Sequence, residues 1–424
     1  MKVNLNVDVH HLTRVEGHGN IKVQVRNGKI EEARWDVVET PRYFEVMLKG
    51  KHYTSAGILT ARICGICSIG HCLASLRATE NAFGIVIPEK AAKLRLLAKH
   101  GETLQSHALH LFFLAAPDFL NIPSAIPLID SNPAVVAVAA RLKGLGNKIC
   151  DLIAGRTTHP VSLLVGGVAA VPDSHTLLQL KDDLLRAVPD LATTVELFKT
   201  FEIPDFVRET EFVSLKAVDD YPFIGGNLIS SDGVEKSEQE YKQMTNEYLD
   251  KNNTSKWAKL SRNSFAVGAL ARFNNNHTML LPEAQAIASQ LGLKPVCHNP
   301  FMNNVAQLVE CVHVAYDSIR LIDELLNLNG EPAMIPVKPK AGEGVGAVEV
   351  PRGILYHHYK YDKEGRIKQA DCVIPTTQNN ANIHHDMHDL VKQYADENMT
   401  DEKLELLCSM LVRAYDPCIS CSVH

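Results

Sequence analysis

Two Cys-x-x-Cys pairs, one near each end of the chain, constrain the fold more than any other feature. Cys64 and Cys67 stand in Arg-Ile-Cys-Gly-Ile-Cys-Ser-Ile-Gly-His, from Arg62 to His71; Cys418 and Cys421 stand in Asp-Pro-Cys-Ile-Ser-Cys-Ser-Val-His, from Asp416 to His424. Each spacing, on a tight turn, points two sulfurs one way, and two such turns together make a four-sulfur cage suited to soft transition metals. The second pair lies in a tail that would ordinarily fray. A fold that uses all four sulfurs must therefore carry head and tail to one place. On the two pairs alone, a structural zinc clamp held by four cysteines is the commonest occupant.

Composition narrows the class. The 424 residues are 46% hydrophobic, enough for a substantial core, and the net charge of −6 argues against nucleic acid as a partner. There is no signal-peptide core and no apolar run long enough to span a bilayer, so the expectation is a cytoplasmic chain with no direct membrane insertion. Beyond the two pairs, Cys72, Cys150, Cys297, Cys311, Cys372 and Cys408 remain, and none forms another Cys-x-x-Cys. They read as small buried hydrophobes, so no iron–sulfur cluster is expected in this chain.

The hydrophobic pattern predicts a mainly α protein with small β elements (α+β), built on a central bundle of long helices. Alternation in Ile21–Val25, the Asn27-Gly28 turn and the return from Lys29 to Val38 predict an N-terminal β-hairpin. Helical periodicity predicts helices over 88–114, 135–154, 175–200, 236–251, 283–291, 303–329 and 401–415. A second β unit is expected over 346–374, with Pro336 to Gly346 as a loop. Gly342-x-Gly-x-x-Ala347 fits a loose dinucleotide-binding string, but no strand is expected before it and no helix after it. One compact domain over 1–424 is expected: a β-rich subregion to residue 60, a helical body over 61–335, and a C-terminal β unit with the metal-binding tail over 336–424.

The residues flanking the cysteines go beyond a zinc clamp. Arg-x-Cys-Gly-x-Cys-x-x-x-His and Asp-Pro-Cys-x-x-Cys-x-x-His resemble the two signatures of nickel–iron hydrogenase large subunits, of the cytoplasmic, reversible branch that includes sulfhydrogenases and non-deazaflavin-reducing enzymes. Arg14-Val15-Glu16-Gly17-His18, Pro351-Arg352-Gly353 and Val373-Ile374-Pro375-Thr376-Thr377 extend the resemblance along essentially the whole chain. It implies reversible heterolytic cleavage of H2 at a nickel–iron centre whose iron carries CO and cyanide. Cys64 and Cys418 would be terminal nickel ligands, and Cys67 and Cys421 would bridge nickel and iron. Glu16 resembles the carboxylate that relays the proton, after a terminal thiolate such as Cys418 has taken it. Arg352 resembles the arginine near the cyanides, Asp416 its carboxylate partner, Thr376 a cyanide hydrogen-bond donor, and His71 a donor to a bridging sulfur. Glu45, His424 and the main-chain carbonyl of Cys372 resemble the ligands of a magnesium or iron ion near the tail.

Two departures stand out. Gln105-Ser106-His107 replaces a segment that carries an Asp in many periplasmic relatives, and Gln378 stands where those relatives have Trp. Having no cluster, the chain is expected to need an iron–sulfur small subunit, with flavin- or heterodisulfide-linked subunits beyond it. Energy-converting membrane hydrogenases and a complex I subunit share the ancestry, though the latter has lost the metal-binding cysteines.

Overall fold

In the computed structural model, which describes residues 3–216 and 218–424, the N-terminal alternation builds an antiparallel sheet. Its strands are Leu5–Val9, Gly19–Arg26 and Lys29–Val37, in sequence order. Ile21, Val23 and Val25 point inward, and Asn27 and Gly28 both take the positive φ of a tight hairpin turn. The hairpin thus supplies two strands of a three-stranded sheet, because Leu5–Val9 pairs along Gly19–Arg26 from Leu5↔Val25 to Val9↔Ile21.

Four long helices, Glu89–Leu109, Pro133–Ala154, Ser174–Phe198 and Asn303–Asn327, pack on one another as the bundle. Local chemistry sets their starts: Asn132 accepts from the Val135 amide ahead of Pro133, and Asp173 accepts from Thr176. Glu89–Leu109 runs on into a π-helical turn at His110–Ala115. Pro282–Gln290 and Asp401–Ala414 also lie where periodicity expects helices.

Residues 236–251 depart from expectation. A helix forms only at Tyr241–Thr245, preceded by a Ser237–Glu240 capping box and ended by Asn246 at φ 34. Tertiary contacts override propensity here: the Tyr241 ring is buried against Tyr356, and its hydroxyl bonds Asp371. A four-stranded sheet also lies outside the expectations, with Glu235–Lys236, Leu228–Ser230, Glu211–Leu215 and Phe265–Ala266 side by side.

The C-terminal β unit is an antiparallel sheet of Gly342–Val350, Gly353–Tyr361 and Ile367–Val373. Its first strand starts at Gly342, inside the stretch expected to be a loop. The glycines explain this. A Cβ at Gly342 would lie 2.2 Å from Ala82 O, one at Gly344 2.3 Å from Ala82 N, and one at Gly346 2.3 Å from Ala74 O. Alternate glycines thus give the strand a bare face on which the Ser68–Phe83 helix lies flush, backbone against backbone. One hydrophobic cluster runs from Leu5 to Val423 and includes residues of the N-terminal sheet, the bundle and the tail.

Candidate metal centre

Cys64 and Cys67 sit where a short 3-10 turn (Ala61–Ile63) gives way to the Ser68–Phe83 helix, with Cys67 as the residue before its first turn. The amides of Ile66 and Cys67 donate to Cys64 Sγ at 3.2 and 3.4 Å. Cys418 and Cys421 flank the start of a short helix, Ile419–Ser422, after Asp416 at φ 49, a left-handed conformation that the short Asp tolerates. The two turns meet. Cys64 Sγ lies 3.5 Å from Cys418 Sγ and Cys67 Sγ 3.8 Å from Cys421 Sγ, while the Cys418 and Cys421 sulfurs are in direct contact. All four donor atoms lie within 4.8 Å of one another and are buried.

The surroundings favour an anionic sulfur at Cys64. Hydrogen bonding from Cys67 pulls the Cys64 thiol down against the opposing effect of burial, with help from Arg352. The same contact, with burial, pushes Cys67 up, so Cys64 ionises first. Burial opposes the charge of Arg352, but Asp416 and the two thiols keep it firmly cationic. Its Nε donates to Asp416 O at 2.8 Å and its Nη2 to Asp416 Oδ1 at 3.0 Å. Gln307 Nε2 donates to the other carboxylate oxygen at 3.2 Å. Nη1 of Arg352 is buried without a hydrogen-bond partner. Four soft donors beside an uncommitted buried cationic donor fit a thiolate-held metal centre carrying anionic ligands.

Each remaining candidate has a definite place. Thr376 Oγ1 accepts from the Cys418 amide at 2.9 Å. His71 is buried, its Nδ1 3.1 Å from His357 Nε2; desolvation first, then His357, hold it well below the usual histidine range and hence neutral. Glu16 is half-buried. Its backbone bridges Cys418, its carbonyl accepts from Ile419, and its carboxylate takes the Ser420 amide at 3.1 Å and the Ser420 hydroxyl. Gly17 makes this approach possible: at φ 89, a Cβ there would lie 2.7 Å from Ile419 Cβ and 2.6 Å from Glu39 Oε2. The same segment is anchored by Arg14, whose guanidinium bonds Leu114 O and Asp118.

A second group lies beside the first. The Glu45 carboxylate, the His424 ring and the Cys372 thiol sulfur, rather than the Cys372 carbonyl, fall within 4.8 Å of one another, with His424 Nε2 3.6 Å from Glu45 Oε1. The Cys372 amide donates to Glu45 Oε1 at 2.8 Å, and burial pushes its thiol well up, so that it stays protonated. His424 Nδ1 is 3.0 Å from Cys421 O, joining the two groups through the tail. Arg42 binds head to tail: its Nη2 donates to Ile63 O at 2.7 Å and to Ser420 O, and its amide donates to Val423 O at 2.7 Å.

Several supporting residues were not evident from sequence. His357 lies on a strand buried at every position from Gly353 to His357, so no alternation marks it; its Nδ1 meets Tyr359 OH at 2.7 Å. Ser420 is an unmarked position inside the second motif. Gln105 Nε2, from the segment that departs from periplasmic relatives, donates to Ile66 O at 3.0 Å, inside the first cysteine turn.

Comparison with known proteins defines the class. Residues 42–137 and 226–424 match the nickel-dependent hydrogenase family, and residues 6–40 match a HoxL-like family. The alpha chain of sulfhydrogenase 1 from Pyrococcus furiosus is 34% identical, over 99% of this chain and 98% of its own. A vhc F420-non-reducing hydrogenase chain from Methanococcus voltae is 30% identical, over 99% of this chain and 94% of its own. An NAD+-reducing NiFe hydrogenase in the H2-reduced state superposes with a TM-score of 0.90 at 27% identity, covering 99% of each chain. A NiFeSe hydrogenase from Dm. baculatum shares the fold at a TM-score of 0.78 and 22% identity, over 99% of this chain and 100% of that one. Fold and sequence thus define a hydrogen-converting oxidoreductase, not a zinc-clamped structural protein. The chain belongs to the nickel-dependent hydrogenase family, as a catalytic subunit that cleaves H2 reversibly to protons and electrons.

Proposed function

We propose that Cys64, Cys67, Cys418 and Cys421 hold a nickel–iron centre with CO and cyanide on the iron. Cys64 and Cys418 would serve as ligands to nickel, and Cys67 and Cys421 as ligands to both metals. The observation that carries this reading is the group of four buried sulfurs, with the uncommitted Nη1 of Arg352 buried close enough for the thiols to bear on its charge. When bound, the two metals supply Lewis acidity toward H2 and a store for its electrons.

The chain's own residues handle protons and charge. The Cys418 thiolate takes the proton, and Glu16, bonded alongside Cys418 and half-exposed, carries it outward. Arg352 would offset negative charge on the centre, its unpartnered Nη1 being available to donate to cyanide, and Asp416 fixes its orientation through two hydrogen bonds. Thr376 accepts from the Cys418 amide, and its hydroxyl proton would be available to a cyanide. His71, neutral and engaged at Nδ1, would have Nε2 available for a sulfur of the cage. Glu45 and His424, joined by the Cys372 carbonyl, would hold magnesium or iron, a hard ion for which the protonated Cys372 thiol is a poor ligand.

Electrons leave through an iron–sulfur partner. Among the described residues the two groups above are the only clusters fit for a metal, so a cluster relay must be supplied in trans. Flavin- or heterodisulfide-linked subunits would follow it. Its work is assigned to the cytoplasm through its likeness to the cytoplasmic, reversible branch; no helix among the described residues is long and apolar enough to cross a membrane. Infrared spectroscopy of the purified protein tests the centre: bands in the CO and cyanide stretching region are expected, with nickel and iron by elemental analysis. Zinc alone, with a silent spectrum, would overturn the reading.

A further inference from the structure

Behind the centre, one buried cation gathers an unusual set of partners. Arg272, on the Ala269–Asn276 helix, is 0% exposed. Its Nε and Nη2 pair with the two oxygens of Glu310 at 2.6 and 2.7 Å, and its Nη1 with Glu349 Oε2 at 2.9 Å. The other N–H groups go to backbone: Nη1 to Val350 O at 3.0 Å and Nη2 to Pro351 O at 3.2 Å. All five guanidinium donors are therefore used. Glu310 in turn meets His107 Nε2 at 2.8 Å and accepts from Tyr221 OH at 2.9 Å.

Stability alone does not account for this network, because buried ion clusters can often be replaced by apolar residues of like volume without loss. Its geometry does. Val350 and Pro351 are consecutive residues where Gly342–Val350 turns into Gly353–Tyr361, and the next residue is Arg352. We propose that Arg272 is a positioning residue, whose rigid fork grips these two carbonyls and so aims the Arg352 guanidinium at the metal centre. Glu310, Glu349, His107 and Tyr221 hold the fork in place. A lysine, with one point charge, cannot span two carboxylates and two carbonyls. The inference rests on the nickel–iron reading above.

Arg272→Lys, made in the full chain with its iron–sulfur partner and its metals, tests it. Nickel and iron content should persist, while the CO and cyanide bands shift or broaden. Turnover should fall about 10-fold or more, since a ~1 Å misplacement costs ~10²-fold. Added to Arg352→Lys, the same change should cost little more, because both act through one guanidinium. Unmoved bands, or losses that multiply in the double variant, would overturn the proposal. If Arg272→Lys does not fold, Tyr221→Phe, which removes one hydrogen bond from Glu310, takes its place with smaller losses and the same two criteria. A wild-type protein without diatomic bands defeats the nickel–iron reading; normal wild-type bands with unmoved variant bands defeat only this inference.

Discussion

Glu16 and Arg352 serve the same cage in different ways, and substitution should separate them. Glu16→Gln keeps the Ser420 hydrogen bonds possible but removes the carrier, so turnover should drop about 10²- to 10⁴-fold with metal content and infrared bands unaltered. Arg352→Lys loses the planar fork to Asp416, so a loss of about 10²- to 10³-fold should come with shifted cyanide bands. Both are read from H2-dependent dye reduction beside the spectra. The four cysteines were legible as two ligand pairs from their spacing alone, whereas Glu16, Arg352 and His71 were singled out only through the resemblance of the motifs that carry them. His357, Ser420, Gln307 and Arg272 were not. Their partners lie far away in sequence, as Gln307 is from Asp416, and no local pattern marks an inward polar residue.

The bare glycine face of Gly342–Val350 determines where the Ser68–Phe83 helix, and with it Cys67 and His71, comes to rest. Gly344→Ala would bring a methyl to 2.3 Å from Ala82 N and 2.4 Å from Ala78 O, both backbone atoms. Overpacking of this kind costs about 1–3 kcal/mol, measurable by urea denaturation, and the lifted helix should bind nickel less completely. The bundle carries a different liability. His100, buried between Glu89–Leu109 and Asn303–Asn327, is pushed from 6.5 to about 3 by desolvation, against the pull of Asp317. Between those values the unfolded chain binds the extra proton. Stability is therefore complete above about pH 6.5 and falls on acidification, by at most ~1.4 kcal/mol per pH unit from this group. His100→Gln should flatten that part of the profile in chemical denaturation. The amphipathic bundle helices were legible from periodicity. Ser68–Phe83 and Pro375–Tyr394 lie buried on most faces and show no clean stripe, while Glu211–Leu215 is buried at every position and cannot alternate.

Arg42 links the two ends of the molecule, touching Ile63 on one side and Ser420 and Val423 on the other. Arg42→Ala should free the tail, so that carboxypeptidase removes His424 faster and nickel is lost more readily, while the bundle's melting is little changed. Assembly matters equally: the chain purified alone should reduce dyes at best, and physiological electron transfer should return only with the iron–sulfur partner. That the ends meet was legible from the paired motifs. That Arg42 does the joining was not, because its acceptors are backbone carbonyls, which any sequence has.

The sulfurs of Cys64 and Cys418 touch although 354 positions separate them. At about 5–20 residues per second, a ribosome needs roughly 20–70 s to travel from one to the other. For that interval Cys64 and Cys67 emerge as an orphan dithiol with no counterpart, open to stray ions and oxidants. Whatever delivers the metals must wait for the second pair, or shield the first until it arrives.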